Sequence, residues 1–153
     1  MSDEQPVFSI EKIYVKDLSL EVPNAPQVFV SAEQPQLEVQ LTQSAQALEG
    51  GELYEVTITV TVTAKAGERT VFLVEAAQAG IFQIRNVPAS DLDPVLAMVC
   101  PNVLFPYLRE TISDTVNRAG FPPVLLAPMN FEVLYQQRLA EQNEQASRIE
   151  VAH

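Results

Sequence analysis

The chain has 153 residues, with 20 acidic side chains against 9 basic ones, a formal net charge of -11, and 47% apolar residues against 19% charged. That balance describes one folded domain able to bury a sizeable core, and excludes a disordered chain or one that needs a disulfide or metal staple. The acidity excludes nucleic acid and anionic lipid, whose phosphates reward Lys and Arg, and favours basic or mixed-charge partners.

Cysteine and histidine narrow the chemistry further. Cys100 is the one cysteine, so no internal disulfide forms and a reducing compartment is expected. His153, the one histidine, is the last residue, which removes most His-dependent catalysis and nearly all zinc sites. The opening Met1-Ser2-Asp3-Glu4-Gln5-Pro6 has neither a basic nor an apolar block, and the longest uncharged stretch, Pro94 to Leu108, is too short to span a bilayer. A cytoplasmic protein without membrane insertion is expected.

In chain order, strands come first. Leu18, Leu20 and Val22 alternate with Asp17, Ser19 and Glu21, while Ile13 and Val15 sit on the other parity, which places a bulge near Lys16. Pro23-Asn24-Ala25-Pro26 ends this strand and opens a crossover reaching about Gln36. Leu37, Val39 and Leu41 alternate with Glu38, Gln40 and Thr42 in a second strand. Tyr54, Val56, Ile58, Val60 and Val62 alternate with Glu55 and four threonines in a third. A three-residue turn, Ala66-Gly67-Glu68, would set Val62 opposite Phe72 and Val60 opposite Val74, leaving Leu73 and Glu75 on the threonine face.

The second half is helical and punctuated by proline. Ser90 reads as a helix cap with Asp91 and Asp93 in the first turn, and Pro101 and Pro106 should kink or interrupt the helical run beyond it. Leu108, Ile112 and Val116 restore a helical spacing that Gly120 with Pro122-Pro123 ends. Asn130 can cap a last helix striped by Phe131, Leu134, Tyr135 and Leu139. The pattern is an α+β domain over residues 1–140, an antiparallel four-stranded sheet with two helices on one face, and then a flexible polar tail over 141–153.

No constellation assembles an active site. Gly50-Gly51 lacks the Lys and Ser or Thr of a phosphate loop. Asp91 and Asp93 read as dipole complements, Cys100 as a packed small hydrophobe with no histidine to activate it, and Arg109 and Glu110 as a solvated helix face. A metal- or cofactor-dependent enzyme is therefore disfavoured, and no cofactor or metal ligand set is expected. The unusual feature is apolar surplus, since two helices cover only one face of a sheet. Self-association or a groove for extended apolar segments would absorb it.

Several longer segments carry a resemblance. Ile13-Tyr14-Val15-Lys16-Asp17-Leu18-Ser19-Leu20-Glu21 with Pro23-Asn24-Ala25-Pro26 resembles the opening of the SecB family of bacterial export chaperones. Ala79-Gly80-Ile81-Phe82, the stretch Cys100 to Glu110 and the stretch Gly120 to Phe131 resemble later family segments, in the family's order over about residues 8 to 140. The resemblance implies a homotetramer, a dimer of dimers with helices between two eight-stranded sheets. It implies an ATP-independent holdase, not an enzyme, that keeps secretory precursors unfolded and delivers them to the SecA motor ATPase. By position, Asp17, Glu21, Leu73 and Glu75 match the family's docking face for the basic, zinc-binding tail of SecA. The client groove would take Phe29, Leu37, Val39, Leu41, Phe131, Leu134, Tyr135 and Leu139. A relative dedicated to an antitoxin is the alternative, and the presence of the acidic docking residues favours export. The crossover lacks the tryptophan of some members, and Ala79-Gly80 stands where paired glycines are common.

Overall fold

The computed structural model describes residues 5–151, with side chains as far as Arg148; Met1 to Glu4, Ala152 and His153 lie outside the described residues. Four strands, β1 (Val7–Glu21), β2 (Gln36–Ala47), β3 (Leu53–Ala66) and β4 (Arg69–Arg85), form one antiparallel sheet in the order β1-β4-β3-β2. The crossover between β1 and β2 carries a 3-10 turn at Gln27–Phe29 and joins the two edges of the sheet. Asn24 fastens it, its Nδ2 donating to the Thr70 carbonyl at 2.8 Å.

Beyond the sheet come α1 (Ala89–Pro94), a π-helical turn (Val95–Val99), α2 (Cys100–Arg118) and α3 (Phe131–Val151). Helix α2 lies across β4 and β3 on one face, and α3 packs against the π turn. The core is the even-numbered side of β3 (Val56, Ile58, Val60, Val62) and β4 (Phe72, Val74, Phe82), closed by Leu104, Leu108, Ile112 and Val116 of α2. Close crossing explains the small residues of β4, where a Cβ at Gly80 would stand 3.0 Å from Leu104. Ala76 and Gly80 give β4 a weak strand signature, and they are what lets α2 approach.

Three expectations need correction. The hairpin turn is two residues, Gly67-Glu68, with Ala66 opposite Arg69, and Val71 is an extra residue bulged between Thr70 and Phe72. Val62 therefore faces Val74 and Val60 faces Ala76, two positions from the expected register. Ser90 is not the cap: the helix begins at Ala89 with Pro88 as N-cap and no side-chain cap bond, so Ser90 lies within the first turn. Finally, the prolines act less abruptly than expected: the run from Ala89 to Arg118 stays helical throughout, its α geometry interrupted only by the π turn. The π turn immediately before Pro101 widens the helix where the ring would meet a carbonyl, and α2 continues through Pro106.

Other local readings match. A bulge falls at Lys16, between Val15 and Asp17, with a second, unforeseen one at Glu11. Gly120 ends α2 with φ +98°, and Asn130 caps α3 through its Oδ1, which accepts from the Val133 N–H at 3.1 Å. By contrast, the stretch from Glu141, expected to be a flexible polar tail, is helical as far as Val151, as the continuation of α3, and its residues 141–148 are exposed.

Candidate functional site

The sheet face away from the helices is polar and ordered in rows. On β1 it takes Asp17, Ser19 and Glu21, because the Lys16 bulge switches parity and turns these side chains outward. Register sets Glu21 beside Leu73 and Ser19 beside Glu75; Leu73 in turn faces Thr63, and Thr63 faces Glu38 of β2. All four residues expected at a docking face thus share one surface. Leu73 is half-buried among threonines and acids, and Glu75 is held by Thr61, whose hydroxyl donates at 2.8 Å. Glu38, on the same row, was not singled out from sequence, because nothing in a single strand says which row it will join.

Farther along the same face, Glu55 is buried and gathers three donors. Lys16 Nζ lies at 2.8 Å, Gln46 Nε2 at 2.9 Å, and the Tyr14 hydroxyl also donates to it. The bond from Lys16, then that from Tyr14, hold the Glu55 carboxyl below the usual carboxylate range. Burial, with the Glu55 charge behind it, pushes Tyr14 up to about 12. This cluster locks β1, β3 and β2 together across the face at its opposite end from Leu73.

On the helix side, α2 covers the centre of the sheet and leaves β2 open. Three hollows succeed one another along this edge. The first, about 590 Å³, lies under the crossover and is walled by Phe29, Phe72, Phe121, Val124 and Leu125, with Leu37 at its inner end. Its floor is a stack in which Phe29 and Phe72 each lie 5.0 Å from the Phe121 ring. The second, about 260 Å³, shares Leu37, Val124 and Leu125 and adds Val39 and Met129. The third, about 400 Å³, shares Met129 and is walled by Leu41, Leu134 and Tyr135. Tyr135 is steadied by its hydroxyl, which donates to Asp93 Oδ2 at 3.0 Å and ties α3 to α1.

The structure thus brings together six of the eight groove candidates: Phe29, Leu37, Val39, Leu41, Leu134 and Tyr135. Phe131 is 3% exposed, edge-on to Phe105 with ring centres 6.0 Å apart, so it props the groove from below and offers it no surface. Leu139 is exposed one turn farther along α3 and lines none of these three hollows. Cys100 is buried against the sheet, with its thiol pushed up to about 12 by burial, the behaviour of packing rather than of a nucleophile. Among the described residues no three metal-ligating side chains cluster, and no helix is long and apolar enough to cross a membrane.

Comparison with known proteins places this architecture. The family model for the preprotein translocase subunit SecB matches residues 1–142. The chain belongs to the SecB family. The protein-export protein SecB of Chromobacterium violaceum is 67% identical over 140 residues, 92% of this chain and 93% of that protein. Its counterpart in Dechloromonas aromatica is 62% identical over 140 residues, covering 92% and 91%. Among solved structures, the SecB-like chaperone of Mycobacterium tuberculosis, in complex with an antitoxin peptide, shares the fold with a TM-score of 0.65 at 19% identity, covering 80% of this chain and 90% of that one. In this chain, Phe72, Phe121, Val124, Leu125 and Met129 are groove-lining residues that strand and helix periodicity passed over. Most lie in the irregular stretch after α2, which has no period to read.

Proposed function

We propose that the chain is an ATP-independent export chaperone, a holdase and not an enzyme. In this reading its β2-edge groove takes apolar stretches of unfolded secretory precursors, and its outer sheet face hands them to the SecA motor in the cytoplasm. The observation that supports it most is the run of three connected hollows beside an unpaired strand edge. Their side chains are apolar and sequence-tolerant, and an extended peptide could bond to the β2 backbone along them. One buried Leu-sized anchor gives roughly 1.5–3 kcal/mol, whereas micromolar affinity needs about 8 kcal/mol, so a client must fill several hollows at once. A homotetramer, a dimer of dimers, multiplies them and adds avidity.

The row of Glu21, Leu73 and Glu75, with Asp17 beside it, suits the basic zinc-binding tail of SecA, one apolar contact ringed by acids. Residues 1–140 form the working domain, and 141–153 serve as a polar tail. Export is preferred to a dedicated antitoxin client because the relatives at 62–67% identity are export proteins, whereas the antitoxin-bound neighbour is distant. Light scattering on the protein alone and with an unfolded precursor tests the reading. A species near four chains that gains a precursor without nucleotide is expected; a monomer that ignores unfolded chains refutes it. Leu73→Ala with Glu75→Gln should abolish SecA binding while mass and precursor capture persist, and equal loss of all three would overturn the surface assignment.

A further inference from the structure

Sulfur is scarce in this chain and unevenly placed. Apart from Met1, which lies outside the described residues, it comes in Met98, Cys100 and Met129. Cys100 is buried with its thiol pushed up to about 12, so the thiolate that oxidants attack is withheld. Met129 is half-buried, and it alone belongs to both the second and the third hollow of the β2-edge groove. A further hollow of about 550 Å³, between the π turn and the start of α3, is lined by Met98 and Met129 together. Met129 thus has open space on more than one side, room for an added oxygen as well as for the reagent that brings it.

The surroundings of Met129 suit a thioether and not a polar group. Leu37, Val39, Val124 and Leu125 line the second hollow with it, and Leu41 and Leu134 the third. The polar side chains of the third hollow are already engaged. Gln43 Nε2 donates to the Ala97 carbonyl at 3.0 Å, while Tyr135 and Arg138 both donate to Asp93 Oδ2, at 3.0 and 3.4 Å. An oxygen on the Met129 sulfur would find no donor standing ready, and a client side chain pressed onto it would strip it of water.

We propose that Met129 is an oxidative modification site, whose conversion to the sulfoxide by hydrogen peroxide weakens client capture. The sulfur lone pair attacks one peroxide oxygen, and an S–O bond forms as the O–O bond breaks. Sulfur loses two electrons, and the departing hydroxide takes the proton left on the transferred oxygen to become water. The lesion falls where two hollows meet, so a single oxygen disturbs two anchors that a client must fill together. A methionine sulfoxide reductase restores the thioether, which makes the change reversible. This deepens the client reading proposed above and rests on it.

The test is graded peroxide treatment of the whole protein, read by peptide mass spectrometry, circular dichroism, molar mass and affinity for an unfolded precursor. Wild type, Met129→Leu and Met98→Leu are each compared with their own untreated form. Wild type and Met98→Leu should lose affinity about tenfold, in step with the fraction of Met129 sulfoxide, with fold and mass unchanged. Treatment should leave the affinity of Met129→Leu where it was, and sulfoxide reductase should restore the wild type. Affinity that persists with Met129 oxidised, or a loss that follows Met98 or Met1 instead, would overturn the site and leave the client reading standing. A loss that comes with unfolding would do the same. An untreated wild type that captures no precursor would overturn the client reading, and the switch with it. If Met129→Leu does not fold, the wild type carries the test: affinity that tracks the Met129 sulfoxide fraction down and back up supports the site, and affinity that does not refutes it.

Discussion

The centre of the sheet and its two flanks carry the same alternation of apolar and polar residues and put it to different use. Val56, Ile58, Val60 and Val62 of β3 are essentially inaccessible, because α2 lies over them. Leu18 and Leu20 of β1, and Leu37 and Val39 of β2, point to the same side yet remain 37–49% exposed. Period-2 patterning reports the face a residue takes and is silent on how much of that face a helix can reach. One helix spans about two strands, so apolar residues on the outer two are left for other occupants. The fold draws on the centre, and the flanks keep apolar surface to spare.

Substitution in the two regions should separate those uses most sharply. Leu104→Ala removes a fully buried side chain beneath the centre and should cost about 2–5 kcal/mol in urea unfolding. Leu37→Ala with Val39→Ala removes side chains already half in water, and should cost under about 1 kcal/mol each by exposed-area arithmetic. The flank variant should nevertheless lose precursor capture in the light-scattering assay, while the core variant keeps it under conditions where it is folded. If the flank pair proved as destabilising as Leu104→Ala, the distinction between fold and groove would collapse.

The hairpin shows why faces were legible in the sequence and register was not. A turn shortened by one residue would by itself put every later side chain on the wrong face, and the Val71 bulge supplies the compensating residue. The two departures cancel in parity, so Leu73 and Glu75 reach the expected face two positions from their expected partners. The row of outward acids around Leu73 was accordingly readable as a set of residues, although its neighbour Glu38 was not, since row membership depends on register alone. The groove divides along the same line. Leu37, Val39 and Leu41 come from strand period, whereas Phe121, Val124 and Met129 lie where the backbone has none. Phe131 was misplaced because a helix stripe does not say which of its members the helix turns under.

Gly120 joins the two regions, since the residue that ends α2 also seats the crossover over the groove. Its φ of +98° is a conformation that side chains rarely adopt, and a Cβ there would stand 3.0 Å from Phe29 Cε1. Gly120→Ala should therefore cost at least about 1–2 kcal/mol of backbone strain and also lift Phe29 off Phe121. Phe29→Ala relieves the second effect and not the first. In a double-mutant cycle the two changes should cost less together than separately when read by precursor affinity, and should be nearer additive in the strain read by urea unfolding. Full additivity in both would mean that the crossover does not rest on the helix end.

The smallest expected effect, and the one that isolates the outer face, is set by pH. The carboxyl of Glu55 is held below its ordinary range by Lys16 and Tyr14. A carboxylate depressed in the folded state contributes stability that is present above its unfolded pKa, about 4, and is lost as pH falls through the lower folded value. Tyr14 works in the opposite direction: raised to about 12, it contributes stability that is complete below about 10 and is lost between there and 12. Urea midpoints measured from pH 6 down to 3 should fall more steeply for the wild-type chain than for Glu55→Gln, whose curve lacks the Glu55 contribution. Measured from pH 9 up to 12, the wild type should again fall more steeply than Tyr14→Phe. The groove proposed for precursors lies on the other side of the sheet and takes no part in this cluster, so Glu55→Gln should leave client capture at neutral pH unchanged. A variant that lost capture as well would show that the two faces are coupled through β2, whose Gln46 bonds to Glu55 on one side while its Leu37, Val39 and Leu41 line the groove on the other.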